Sequence, residues 1–191
     1  MRLVRTVAAT AVGMALLASC SNGEPANETL PPASSSAAET SESLPPLGPP
    51  DMPMPAEARE KTASGAEAFL SYYMNLYNSA QRSMHTEYIK QFSHACQTCD
   101  RIIREIDSDA LAGYAYQGGE VAIDFIDASE PTDSNVEVVF SFTQAALTVI
   151  DKTGQPVPEL VFPERPSPGA GAILAWSPTD NTWILNQWDV N

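Results

Sequence analysis

Asn135–Ile150 reads NVEVVFSFTQAALTVI, and its apolar residues change parity partway along. Val136, Val138, Phe140 and Phe142 share one face of an extended chain, because successive strand side chains point to opposite sides. Ala145, Leu147 and Val149 continue the alternation at the opposite parity. A slip of one residue moves every later side chain to the other face. The shift near Thr143 and Gln144 therefore predicts a β-bulge that bends one long strand. Upstream, the Gly118–Gly119 break precedes Val121, Ile123 and Phe125, which alternate with Ala122 and Asp124. Downstream, Asp151-Lys152-Thr153-Gly154 is a turn. QPVPELVFPERPSP (Gln155–Pro168) carries too many prolines for a central strand and reads as loop or edge. The chain closes on a hairpin: Ala172–Trp176, a turn over Pro178–Asn181, and Trp183–Val190.

Before Asp107 the texture is helical. Ser64-Gly65-Ala66-Glu67 has the form of a capping box, with Ser64 accepting from an early backbone N–H and Glu67 reaching back. Ala66, Phe69, Leu70, Tyr73, Leu76, Tyr77 and Ala80 follow at helical spacing on one face. Tyr88, Ile89 and Phe92 indicate a short second helix, and Ile102, Ile103 and Ile106 the buried side of a third. Helices followed by antiparallel strands make an α+β domain. Three N-terminal helices packed on one curved antiparallel sheet of about four to six strands resemble the NTF2-like (cystatin-like) cone. WILNQWDV, Trp183–Val190, fits the last strand of that fold.

The N-terminus bears on location. Arg2 and Arg5 form a positive n-region, and Val7–Leu17 is an uncharged run too short to span a bilayer, so residues 1–19 read as a signal peptide. Leu17-Ala18-Ser19-Cys20 resembles the lipobox of bacterial lipoproteins, which implies lipidation of Cys20 (palmitate among the acyl groups). Two or more acyl chains on one cysteine suffice for stable anchoring. The expected location is the outer, extracytoplasmic face of the cytoplasmic membrane, with the membrane itself a partner through the anchor. The other reading is an ordinary secretory signal with a stray cysteine.

Residues 20–55 continue as a tether. Ser21–Pro55 holds nine of the sixteen prolines and no lysine, arginine or aromatic residue. It cannot bury enough apolar surface to offset its ordering entropy, which predicts a disordered, Pro/Ser/Glu-rich spacer. Its Ser/Thr/Pro mix also suits an O-glycosylated stalk. Residues 56–191 are then one domain with one core. The net charge of −14 becomes −16 without Arg2 and Arg5. So acidic a surface is repelled by phosphate backbones and excludes nucleic acid as a partner.

PMPAEAREKTASGAEAFLSYYMNLYNSA (Pro53–Ala80), the C-x-x-C that follows and the double glycine ahead of a strand resemble an uncharacterised actinobacterial lipoprotein family, domain of unknown function 6318. The resemblance covers about Pro53 to Gln187, with S-G-A-x-A-F and the C-x-x-C as its most specific parts. It implies a lipoprotein signal, a low-complexity linker and one domain. It implies no activity.

FSHACQTCDRIIREID (Phe92–Asp107) carries that C-x-x-C. With Cys20 lipidated, Cys96 and Cys99 remain, which suits one disulfide in an oxidising exterior. Two other readings stay open. A redox dithiol is favoured by Cys99 at the start of a helix, where the dipole lowers a thiol pKa. A zinc clip would have to draw on His85, His94, Cys96 and Cys99. Against the first, helices flank the motif on both sides. Against the second, reduced thiols are unexpected outside the membrane.

For catalysis the candidates are Asp124, Asp127 and Asp189, with Asp124 and Asp127 placed to enter a cavity or to stand in solvent. Tyr114 and Tyr116, with Trp176, Trp183 and Trp188 on the last hairpin, are candidates for a ligand or partner surface. Nothing points to a cofactor or a metal. The leading expectation is a non-enzymatic envelope domain that binds a small apolar ligand or an envelope protein. The alternatives are an NTF2-like enzyme for proton transfer or hydrolysis, which requires an inward carboxylate, and a thiol–disulfide oxidoreductase.

Overall fold

Helix α1, Ala63–Ser83, begins where Thr62 leaves an extended conformation and its hydroxyl accepts from the Gly65 amide at 3.0 Å. The cap is therefore Thr62, two residues ahead of the expected Ser64, which lies inside the first turn. Glu67 does not close a capping box; its carboxylate accepts from the Ala128 amide at 3.0 Å and ties the helix to a strand. Ala66, Phe69, Leu70, Tyr73, Leu76 and Ala80 are buried as their spacing predicts. So are Tyr72, Met74, Asn78 and Gln81, so α1 is enclosed on more than one side. Two further helices follow, α2 (Glu87–Gln91) and α3 (Gln97–Ala112), and the latter buries Cys99, Ile103 and Ile106.

The computed structural model describes residues 44–190; Cys20, the signal sequence and the first part of the expected tether lie outside them. Residues 44–55 lie against the domain. Leu47, Met52 and Met54 pack on its core, and the Tyr72 hydroxyl donates to the Met52 carbonyl at 3.1 Å. The folded unit thus begins before Ala56.

Seven strands follow: β1 (Ala115–Gly118), β2 (Val121–Ala128), β3 (Asn135–Gln144), β4 (Leu147–Ile150), β5 (Pro156–Phe162), β6 (Arg165–Ser177) and β7 (Thr182–Val190). The strands do not form the expected single curved sheet closing as an NTF2-like cone. The strands form two antiparallel sheets, one in the order β2-β3-β6-β7 and one in the order β1-β4-β5. The helices still precede the strands, as expected of an α+β chain.

The parity change in Asn135–Ile150 is the passage between the two sheets, two residues beyond the expected bulge. β3 ends at Gln144 on β2, and β4 begins at Leu147 on β1. Between them the Ala145 amide donates to the Glu120 carbonyl and the Gly119 amide to the Ala146 carbonyl, at 2.9 and 3.0 Å. Gly118 and Gly119 take φ of 75° and 84°, which side-chain-bearing residues rarely adopt, and a Cβ on Gly118 would collide with the Ala146 carbonyl oxygen. Register slips do occur, but elsewhere: between Ile123 and Phe125 against β3, and between Phe140 and Phe142 against β6. The first slip turns Phe125 outward, 57% exposed, and brings Ile126 against the core. The β5 segment is an edge strand, consistent with its prolines.

The inner face of the four-stranded sheet carries Val136, Val138, Phe140 and Phe142 with Leu174, Trp183, Leu185 and Trp188, all buried with α1. Its β7 edge is covered by the chain after α2, where the Leu185 amide donates to the Phe92 carbonyl and the His94 amide to the Leu185 carbonyl. At the other end of the helix, a Cβ on Gly65 would strike the Glu60 carbonyl oxygen. Gly65→Ala would favour a free helix by about 1 kcal/mol. Here it is expected to lower stability by about 1–3 kcal/mol, because backbone must move to admit the methyl. Urea denaturation gives the sign directly, and a stabilised variant would contradict the close approach.

Candidate functional site

The bend between the sheets is held from α1. Asn78 donates through Nδ2 to the Val121 carbonyl and accepts at Oδ1 from the Val121 amide, both at 2.8 Å and both buried. One turn on, Gln81 donates to the Gly119 carbonyl at 3.1 Å. The side chains thereby replace strand hydrogen bonds where the ladder is broken, leaving no orphaned backbone group at Val121. Between the diverging sheets and α3 lies a cavity of about 590 Å³, within the range of small-molecule sites.

Its walls come from every layer. Tyr77 and Gln81 face it from α1, Ile102 and Ile106 from α3, and Phe142 and Trp188 from the four-stranded sheet. Tyr116, Leu147 and Phe162 close the side of the three-stranded sheet. Trp188 is packed by aromatic rings: Tyr77 edge-on at 5.9 Å between centroids, Phe142 at 6.2 Å and Phe140 at 6.4 Å. Charged residues are confined to exposed positions, Arg101 and Glu105 on α3 and Glu164 and Arg165 before Ser167. Arg101 and Glu105 pair at 3.2 Å, an exposed contact of little energetic weight.

The polar groups of the wall are mostly engaged. Tyr116 donates to Asp109 at 2.6 Å. Burial, and then that contact with Asp109, holds the Tyr116 phenol far above its ordinary pKa. Burial likewise pushes Tyr77 up to about 12, with Glu105 adding to the rise and Arg101 opposing it. Both phenols stay neutral at physiological pH. Two buried atoms, Ser167 Oγ and Trp188 Nε1, have no hydrogen-bond partner.

The structure separates the expected site residues. Trp188 and Tyr116 line the cavity, whereas Tyr114, Trp176 and Trp183 do not. Trp183 is fully buried, with its indole N–H donating to the Glu60 carbonyl at 3.0 Å and its ring edge-on to Trp176. Trp183 is thus a core residue, and Trp188 is both core and pocket wall. Asp124 and Asp127 are exposed; Asp124 accepts from Thr143 across the outer face of the sheet at 2.9 Å. Asp189 is exposed too and accepts from Gln187. Tyr77, Phe142, Leu147 and Ser167, which do line the cavity, carry no motif that marks them.

Cys96 and Cys99 form a disulfide with their α-carbons 5.2 Å apart, and both residues are buried. Cys96 Sγ also accepts from the Cys99 amide at 3.2 Å, so the pair caps α3 where it leaves the chain after α2. His85 and His94 are exposed, and with both sulfurs in the disulfide the zinc set is not assembled. Among the described residues no group of three His, Cys, Asp or Glu is placed to hold a metal ion.

A helices-first α+β domain with two sheets and a half-open, mainly apolar pocket is thus the class defined here. The chain belongs to a family of unknown function, DUF6318, whose model matches residues 40–188. No curated protein matches it. Among solved structures it is similar to the intermembrane space region of the chloroplast protein ARC6, at 16% identity and a TM-score of 0.49, over 67% of this chain and 95% of that one. A protein from Catenulispora acidiphila matches at 13% identity and a TM-score of 0.42, over 67% and 91%. Aln2 from a Streptomyces species matches at 11% identity and a TM-score of 0.42, over 66% and 88%. Likenesses at this level carry nothing about function.

Burial of both cysteines sets a clear expectation. Incubating the native protein with a mild thiol reductant and then iodoacetamide should leave Cys96 and Cys99 unmodified by mass, with both alkylated once urea is added. Rapid native labelling would restore the redox reading.

Proposed function

We propose that this protein is a non-enzymatic binding module of the cell envelope, tethered through lipid on Cys20 to the outer face of the cytoplasmic membrane, and that it takes a small, mainly apolar ligand into the cavity. The carrying observation is the cavity: about 590 Å³, walled by aromatic and aliphatic side chains from α1, α3 and both sheets. Of the two target classes expected from the sequence, the small ligand is favoured over an envelope protein. The hairpin surface that a protein would have used has its Trp183 and Trp188 turned inward. An enzyme with a pocket carboxylate loses its named candidates, since Asp124 and Asp127 stand in solvent and the carboxylates that reach the cavity, Glu105 and Glu164, are exposed. The anchor rests on the lipobox alone, Leu17-Ala18-Ser19-Cys20.

The two parts are tested separately. Replacing Cys20 by serine should abolish incorporation of an alkynyl fatty acid and release the protein from the membrane fraction; unchanged membrane retention would refute the anchor. That unlipidated full chain should bind the uncharged dye N-phenyl-1-naphthylamine saturably at one site, with enhanced fluorescence. Adding Ala145→Trp, which fills the cavity from the bend, should remove the signal without changing the circular dichroism. A dye response indifferent to the plug would place binding elsewhere.

A further inference from the structure

We propose that the outer face of the four-stranded sheet docks an extended cationic segment of another protein, a basic–apolar–basic stretch laid across the strands. The cavity lies on the opposite side of this sheet, so the contact does not depend on what the cavity holds. Register brings Asp127, Val139, Gly171 and Asp189 into one row across β2, β3, β6 and β7. Phe125, turned outward by the register slip, and Val139 are each more than half exposed. They border a shallow groove whose other residues include Gly169, Gly171 and Asp189. A Cβ on Gly171 would meet no atom within 4 Å, so the groove is open above it. The row thus has an apolar notch at its middle and an exposed carboxylate at each end. Large apolar side chains exposed together within a polar rim are the mark of a contact surface.

Charge selects the occupant. The outer face carries Asp124, Asp127, Glu137 and Asp189, all exposed, and among the described residues none of them is in an ion pair. The one base in these four strands, Arg165, lines the cavity on the other side. A second copy of the chain would bring like charges together here. Residues 21–43, with four glutamates and no lysine or arginine, would do the same. Complementary potentials favour a cationic partner and suppress these acidic ones.

The spacing suits an extended polypeptide. Three interstrand steps separate Asp127 from Asp189, about 14 Å. In an extended segment residues i and i+4 lie about 13 Å apart on one face, with i+2 midway. Lysine or arginine at i and i+4 meets the two carboxylates, and an apolar side chain at i+2 enters the notch over Gly171.

The probe is the peptide acetyl-Lys-Ser-Phe-Ser-Lys-amide, titrated calorimetrically into the full Cys20→Ser chain. It should bind at one site, and more weakly as salt is raised. The same peptide with glycine in place of phenylalanine should bind about tenfold more weakly or worse. Asp127→Asn combined with Asp189→Asn should cost about tenfold. Gly171→Leu, which fills the notch, should abolish binding. Both variants should keep the circular dichroism and the N-phenyl-1-naphthylamine response of the parent. Absence of binding, binding indifferent to Gly171→Leu, or equal binding of the glycine peptide would overturn the contact. So would a dimer of the parent chain in sedimentation that Gly171→Leu dissociates, which would give the face to a second copy. Peptide binding with no dye response would uphold this contact and remove the cavity reading.

Discussion

A single side-chain amide holds the place where this fold departs from an ordinary curved sheet. Asn78 satisfies both backbone groups of Val121 from the middle of α1, at the residue where the ladder has just been broken. Without it, an N–H and a C=O would be buried and unpaired, at about 1–3 kcal/mol each. Gln81 holds the adjoining Gly119 carbonyl, so two turns of one helix grip the crossing from Gly119 to Val121. The glycine pair permits the turn, and the helix makes it stable.

The cavity follows from that grip. Because β1–β4 leaves the direction of β2–β3 at the crossing, the two sheets separate, and α1 and α3 provide the remaining wall. The disulfide contributes at one remove, capping α3 where the helix turns toward the site. Lys90 and Thr86 both bind Asp107, on the far part of α3, and so fix that helix to the segment around α2. Those hydrogen bonds hold the Asp107 carboxyl below the usual carboxylate range. The small stabilisation they give is present above that range and is lost as pH falls through the lowered pKa. The walls are thus fixed by contacts outside the cavity.

Much of the architecture could be read from pattern. The helix faces, the inward row Val136–Phe142, the edge character of the proline-rich segment, the final hairpin and the cysteine pairing all follow from periodicity or local chemistry. The divided sheet could not. A bulge within one sheet and a passage between two sheets produce the same one-residue slip after Gln144; only the destination of the hydrogen bonds separates them. Asn78 and Gln81 were invisible for a related reason, since helical periodicity assigns polar residues to the solvent side. Thr62 and Ser64 are equally able to cap, and the choice depends on how Gly65 meets the Glu60 backbone. Tryptophans near a chain end suit a core or a binding surface alike; here Trp183 is core and Trp188 is both core and pocket wall. Ser167, in a segment crowded with prolines, gave no signal of its burial.

Hydrogen exchange at the Val121 amide reports directly on whether the crossing is held by Asn78. In native-state exchange this amide should be as slow as those at the centre of β3, opening only with global unfolding, and Asn78→Asp should accelerate it selectively. Exchange at the rate of an exposed loop amide in the unmodified protein would mean that the crossing is loose, and that the cavity between the sheets is held by something other than α1.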